Sequence, residues 1–497
     1  MYRHYSTNNF QNLLSDVGEV GYVEIVNGPM VYASGLPNAK PREVVLLESG
    51  DIGEVVSLSR DLVEILMLSK SPVSIGTRVA RTGDTLKVPV GDHMLGTSIN
   101  PLGMSIYEEK PLRPSEEHRL IDTTSTDISI REKITEPLET GVGIVDMMVP
   151  LGMGQRELVI GDRKTGKTEF IQQVMLSQAK RGNVCIYAGI GKLKIDIKKV
   201  EDFIYSNKIE SKCVVMASCN SDSLGMIYIT PYAAMTLAEY FRDLGHNVIL
   251  ILDDLSTHAK FYREIALTSR RLPGRSSYPG DIFYTHSRLL ERAGNFKTLK
   301  GPKSITCFPV AETIEGDISG YIQTNLMSIT DGHIFFDKEL FGQGRRPAIN
   351  TFLSVTRVGR QTQSTLRWGV NRELTSFLTL LEKTQSFVHF GAELNAGIKA
   401  TLDMGEKVYS FFDQPQGKVI PIDVQIVLFS LIWVGSIKSE SNEKLKFIIR
   451  KSLQLYEKND EFKRFVSDLY QSTLDFNAYL GKVTQNQSKL LSYIEYD

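Results

Sequence analysis

The most pointed chemistry in this chain lies in one run, Gly161-Asp162-Arg163-Lys164-Thr165-Gly166-Lys167-Thr168. It fits the pattern G-x-x-x-x-G-K-[ST]. Each residue type has a reason to be there. Gly161 and Gly166 let the backbone wrap tightly, so that its N–H groups face phosphate oxygens. The positive end of a following helix adds to that field. Lys167 is expected to reach the β- and γ-phosphates, and Thr168 to place a hydroxyl on Mg²⁺. All eight positions, 161–168, are expected nucleotide-binding residues. A P-loop also needs an acid for its metal. Val248-Ile-Leu-Ile-Leu-Asp253-Asp254 is an apolar strand ending in carboxylates. Asp253 is the expected Mg²⁺ partner, through water. The plainer reading is that the acidic pair only caps the next helix.

Binding is not hydrolysis, which needs an attacking water held and polarised near the γ-phosphate. In related motor ATPases a carboxylate just after the strand that follows the P-loop helix does this. Here that strand runs Cys185-Ile-Tyr-Ala-Gly-Ile-Gly191 and Lys192 comes next. A protonated ammonium cannot act as the base. It is suited to pairing with phosphate, or else it is an exposed lysine without a role. Glu201 and Asp202 lie too far along the chain to substitute.

The elements that position these residues can be read around them. Glu157-Leu-Val-Ile160 precedes the P-loop as a strand. Phe170, Ile171, Val174 and Met175 give the following helix its buried face, and Gly182 suits its stop. Val184–Ala188, Cys213–Met216, Val248–Leu252 and Ile305–Phe308 are further apolar runs between helical segments, which suits a parallel sheet buried under helices. Upstream, Glu19–Val26, Glu43–Leu47, Glu54–Leu58 and Leu62–Met67 are β-rich runs separated by turns, which reads as a small barrel or sandwich. Downstream, Leu374, Phe377, Leu378 and Leu381 share one helical face. The expected fold is a multidomain α/β protein: a short segment 1–16, a β-barrel over 17–86, a P-loop nucleotide domain with a mainly parallel sheet over 87–365 and a C-terminal helical region over 366–497.

Composition excludes several classes. With 497 residues, 42% hydrophobic and 23% charged, the chain is ordinary globular protein of about three domains. Its 57 basic against 58 acidic side chains give no sign of a polyanion-binding surface, so nucleic acid is not an expected partner. Cys185, Cys213, Cys219 and Cys307 form no CxxC and no Cys/His cluster, which reads as buried thiols in a reducing compartment without structural zinc. The apolar stretch Gln425–Val434 is too short to span a bilayer and reads as a buried helix. No signal-peptide core, internal repeat or low-complexity segment is visible.

Three long segments together resemble the α subunit of F-type ATP synthases. They are Gly141–Thr168, Arg270–Arg292, and Gly316–Gly332 continuing to Arg346–Asn350. The resemblance covers essentially the whole chain. It implies a β-barrel, a RecA-like domain and a helical bundle, alternating with catalytic β subunits around a rotating γ-type shaft. It implies a site that binds ATP or ADP with Mg²⁺ without turning it over. The family has Gln where its catalytic subunits have Glu; this chain has Lys192, which still leaves the acid absent. By the same resemblance Arg357, in Ser354-Val-Thr-Arg-Val-Gly359, is an arginine finger for the neighbouring catalytic site. Gln414 and Gln416 take the place of the adenine pocket's Gln-x-Gln, and Glu312 matches an acid near the metal. Lys164 stands where the family usually has Gln and adds positive charge near phosphate.

The sixteen residues before the barrel are shorter than the family's usual helical arm, which leaves contact with a δ-type stator open. The expected place is the cytoplasmic side of the membrane in a peripheral complex, without insertion. Two alternatives stand beside an ordinary synthase subunit: an α-like subunit of a repurposed, motility-linked rotary motor, and a self-sufficient hexameric ATPase such as a secretion ATPase or a helicase. A scaffold with a purely structural nucleotide is a third, for which Arg357 has no use.

Overall fold

The computed structural model describes residues 7–107, 115–124, 127–389, 395–414, 417–437, 442–473 and 475–494. The protein opens with helix α1 (Thr7–Val17), and the first barrel strand begins only at Val20. The helix was not expected from the pattern, yet Phe10, Leu13, Leu14 and Val17 recur at helical spacing. Phe10 is buried, Leu13 and Leu14 pack against the same core, and the Arg78 guanidinium lies 5.5 Å from the Phe10 ring centre.

Six strands follow: β1 (Val20–Asn27), β2 (Met30–Ser34), β3 (Glu43–Leu47), β4 (Ile52–Leu58), β5 (Val63–Met67) and β6 (Arg78–Thr85). They close into a barrel in the order β1-β2-β5-β4-β3-β6, with Val20 paired to Ala80 at the seam. Closure leaves no open sheet edge. Val23, Val31, Val45, Val55, Ile65 and Val79 fill the interior. Within β6, Arg81 is buried and bonded to Glu43 and Glu19.

The barrel is fastened to the central domain at the start of helix Leu224–Asp243. The Ser223 hydroxyl accepts from the Met226 N–H, capping the helix, and donates to the Leu68 carbonyl at 2.7 Å. A Cβ at position 225 would lie 2.4 Å from the Met67 carbonyl oxygen, so this close approach requires Gly225.

The central sheet runs, edge to edge, Val355–Thr356, Gly332–Phe336, Glu157–Gly161, Gly301–Glu312, Val248–Asp253, Val184–Lys192, Cys213–Cys219 and Ser98–Ile99. Its main strands pair in parallel. Alternate residues face opposite layers. Ile249 and Ile251 pack with Phe170, Val174, Ile197 and Val200, whereas Leu250 and Leu252 pack with Met235, Phe241 and Ala259. Helices Lys167–Lys180 and Lys194–Ser206 cover one face, and Leu224–Asp243 and Leu255–Thr268 the other. This is why the strands read as unbroken apolar runs. The four cysteines are free and buried.

The C-terminal region contains helices Thr365–His389, Ala396–Phe412, Ile422–Trp433, Asn442–Lys458, Asp460–Gln471 and Phe476–Ile494. Leu374, Leu378 and Leu381 are buried, and the Phe377 ring meets Trp433 edge-on at 5.4 Å. Helix Ile422–Trp433 is buried on nearly all sides. Among the described residues no helix is long and apolar enough to cross a membrane.

One buried cation ties the sheet's helical cover together. Arg292 is 1% exposed; its guanidinium reaches both Glu239 oxygens at 2.9 and 2.7 Å, the Ile121 carbonyl and the Thr236 hydroxyl. Arg292→Leu leaves Glu239 unpaired in the core. A loss of about 3–5 kcal/mol is expected, read as a lower urea midpoint, with partial recovery in the Arg292→Leu/Glu239→Leu double variant.

Candidate functional site

The P-loop leaves the C-terminal end of strand Glu157–Gly161 and enters helix Lys167–Lys180. Gly161 lies against Phe336 of the adjacent strand, whose carbonyl oxygen would sit 2.4 Å from an added Cβ. Gly166, at φ 100°, caps the helix from the left-handed region. Lys164 shares that region at φ 62°. The loop is braced from inside. The Thr165 hydroxyl donates to the Asp162 carbonyl at 2.7 Å, and the Asp162 carboxylate accepts from the Thr313 hydroxyl and the Gly316 N–H. Burial raises the Asp162 carboxyl, but these bonds and the nearby Lys338 and Lys167 bring it below its usual range.

Lys167 is buried in the loop, donating to the Gly161 and Asp162 carbonyls at 2.7 and 2.6 Å. Burial pulls its ammonium below the ordinary lysine range against the pull of Glu312, Asp253 and Asp254. Thr168 is exposed at the mouth. Such a loop at a helix N-terminus is an anion cradle.

Three carboxylates line the strand ends beside it. Glu312 ends strand Gly301–Glu312 and pairs in register with Gly161; its Oε2 accepts from Arg163 Nε at 2.9 Å. Asp254 caps helix Leu255–Thr268 through the Thr257 N–H at 2.6 Å, as the plainer reading of the acidic pair had it. Asp253 does something else. Its Oδ2 accepts from the Tyr187 hydroxyl at 2.7 Å, and its Oδ1 lies 2.7 Å from the Lys192 ammonium. That ammonium is also 3.3 Å from Asp254 Oδ2. Its side chain is only 21% exposed. Burial alone would lower the Lys192 pKa, but Asp253 and Asp254 together hold it well above the ordinary lysine value. Lys192 is therefore turned onto the acidic pair.

Beyond the loop a cavity of about 660 Å³ opens between Thr165, Gly166, Phe341, Pro347 and Gln414. This volume suits a nucleoside-sized ligand. Gln414 is fixed at the cavity wall: its amide N–H₂ donates to the Gly141 carbonyl at 2.7 Å, and its Oε1 accepts from the Gly143 N–H at 3.1 Å. Gln416 lies outside the described residues. Arg346, unforeseen from the sequence, borders the same cavity with its guanidinium 3.6 Å from the Phe341 ring centre. Tyr187 was also missed. Its only signal is one hydroxyl-bearing ring in an otherwise aliphatic strand.

Arg357 stands apart from this group. It follows the short edge strand Val355–Thr356, which pairs with Gly332 and His333 at the N-terminal end of the neighbouring strand. The P-loop leaves beside Phe336, at that strand's other end. Four residues of strand separate the two levels, about 13 Å. Arg357 is exposed; its N–H donates to the Asp331 carbonyl at 3.0 Å, and one guanidinium nitrogen reaches the Thr330 carbonyl.

A parallel sheet, a P-loop at its C-terminal edge and an acid-ended neighbouring strand define a RecA-like nucleotide-binding protein. Comparison with known proteins narrows this further. Residues 141–356 match the model of the nucleotide-binding domain of the ATP synthase alpha/beta family, and residues 369–468 match that of the family's C-terminal domain. The ATP synthase subunit alpha of Sulfurovum sp. (strain NBC37-1) is 38% identical over 465 residues, covering 93% of this chain and 89% of that one. That of Rickettsia bellii (strain OSU 85-389) is 35% identical over 97% of this chain and 94% of its own length. The chain belongs to the ATP synthase alpha subunit family, as the sequence resemblance implied.

Proposed function

We propose that this chain is the non-catalytic α-type subunit of a rotary F-type head. It binds ATP or ADP at its own P-loop without turning it over. It lends Arg357 to the active site of an adjacent β-type subunit, in an alternating ring around a γ-type shaft on the cytoplasmic face of a membrane. The observation that carries the reading is Lys192, an ammonium lying on Asp253 and Asp254 where hydrolysis needs a free carboxylate. The relatives' names, the P-loop's internal bracing and the cavity beside Gln414 support it. The same lysine argues against a self-sufficient hexameric ATPase.

Mg²⁺ fits this donor set poorly. Thr168 offers a hydroxyl at the mouth, but both Asp253 oxygens and one Glu312 oxygen already hold donors. The site's own residues therefore do the binding: Lys167 and the loop N–H groups on the phosphates, the Gln414 wall around the base.

The test is direct. The purified protein is expected to bind radiolabelled ATP and to release no phosphate above background, with turnover emerging only on mixing with its β-type partner. Steady hydrolysis by the purified protein on its own would overturn the proposal.

A further inference from the structure

The nucleotide site carries an internal cation that the P-loop pattern does not call for. Lys192 reaches Asp253 from a strand whose pairing shifts register between Gly189 and Lys192. Tyr187, two residues before Gly189 on the same strand, closes Asp253 from the other side. The carboxylates are 5% and 2% exposed, so their charges are weakly screened and act strongly on anything placed at the loop. Bare aspartates there would repel a triphosphate, and a divalent cation normally bridges the two. Here an ammonium already offsets negative charge on the acidic pair, within the protein, before any ligand arrives. Arg163 does the same for Glu312.

We infer that Lys192 takes over part of the charge-offsetting role of a divalent cation at this site, so that the protein binds ATP and ADP with little dependence on Mg²⁺. The inference rests on the nucleotide-binding reading and sharpens it. Lys192 is a positioning and specificity residue in this role. It holds Asp253 and Asp254 in an ion-paired state, and the phosphates are held by Lys167 and the loop.

The experiment is equilibrium binding of ATP to the full purified protein, in Mg²⁺ and in EDTA. Wild type is expected to change its Kd by less than about tenfold between the two. Lys192→Gln is expected to bind with near wild-type Kd in Mg²⁺ and to weaken by about a hundredfold or more in EDTA. Lys192→Arg keeps the charge and is expected to remain insensitive to EDTA, which separates charge from packing. Wild-type binding that collapses in EDTA, or equal EDTA sensitivity in wild type and Lys192→Gln, would overturn the inference and leave nucleotide binding standing. Loss of binding by Lys192→Gln in both buffers would also overturn it, making the lysine structural. Absence of binding by wild type under both conditions would overturn the nucleotide reading itself.

Discussion

Arg357→Ala is expected to cut ATP turnover of the assembled ring by about 10³–10⁵-fold while leaving this subunit's own nucleotide binding intact. The separation of the two effects is the informative part. Arg357 is exposed, sits beyond the edge strand, and is displaced from its own P-loop along the length of the sheet. Its guanidinium donates to the Thr330 carbonyl, a neutral backbone partner. A guanidinium exposed at such a position is placed to meet charge that would develop on another subunit. Turnover of the ring reads that role, and nucleotide content of this subunit reads the control. Arg357→Lys is expected to recover little, because an ammonium lacks the planar fork. Unchanged turnover in Arg357→Ala would refute the role.

Lys167→Ala is expected to abolish the rise in melting temperature that ATP gives the wild-type protein. Any ligand that binds only the folded state stabilises it by RT ln(1 + [L]/Kd), about 2.7 kcal/mol at a hundred times Kd. The difference with and without ATP matters more than the absolute melting temperature. Lys167 also bonds the Gly161 and Asp162 carbonyls, so the variant loses loop bracing even without ligand. Thermal scans at matched protein concentration measure both. An undiminished ATP shift in Lys167→Ala would place the nucleotide elsewhere.

The sequence made the chemistry of the loop easier to read than the company it keeps. The P-loop, its strand and its helix announce themselves because each is local: glycines, a lysine and a buried face within about twenty-five residues. The parallel strands were visible because both faces are covered and their side chains are almost all apolar. Strand β6 was not singled out. It reads Arg-Val-Ala-Arg-Thr-Gly-Asp-Thr, and pattern alone cannot know that Arg81 will be paired with Glu43 and Glu19, 38 and 62 positions away in the chain. Helix α1 was missed for the opposite reason: its apolar spacing is regular, but it lies in a short polar segment next to β-rich runs. Lys192 was noticed, yet its partners were not. Asp253 lies sixty-one positions on, and only the register of the two strands brings them together.

The displacement of Arg357 from the P-loop has a consequence for assembly. On the proposed role of Arg357, a subunit that donates at one end of its sheet and receives at the other has a direction. Its contacts join unlike faces, so they cannot be satisfied by a twofold pair. They must either close into a circle or run on as a filament. Alternating this subunit with a partner of similar shape keeps the circle but makes its seams chemically different. In the proposed ring, one seam would deliver Arg357 to a site able to react. At the next, a loop whose acids are already paired with Lys192 would face the partner. In that arrangement chemistry would be confined to every second seam, and the intervening seams would be left to hold the circle together.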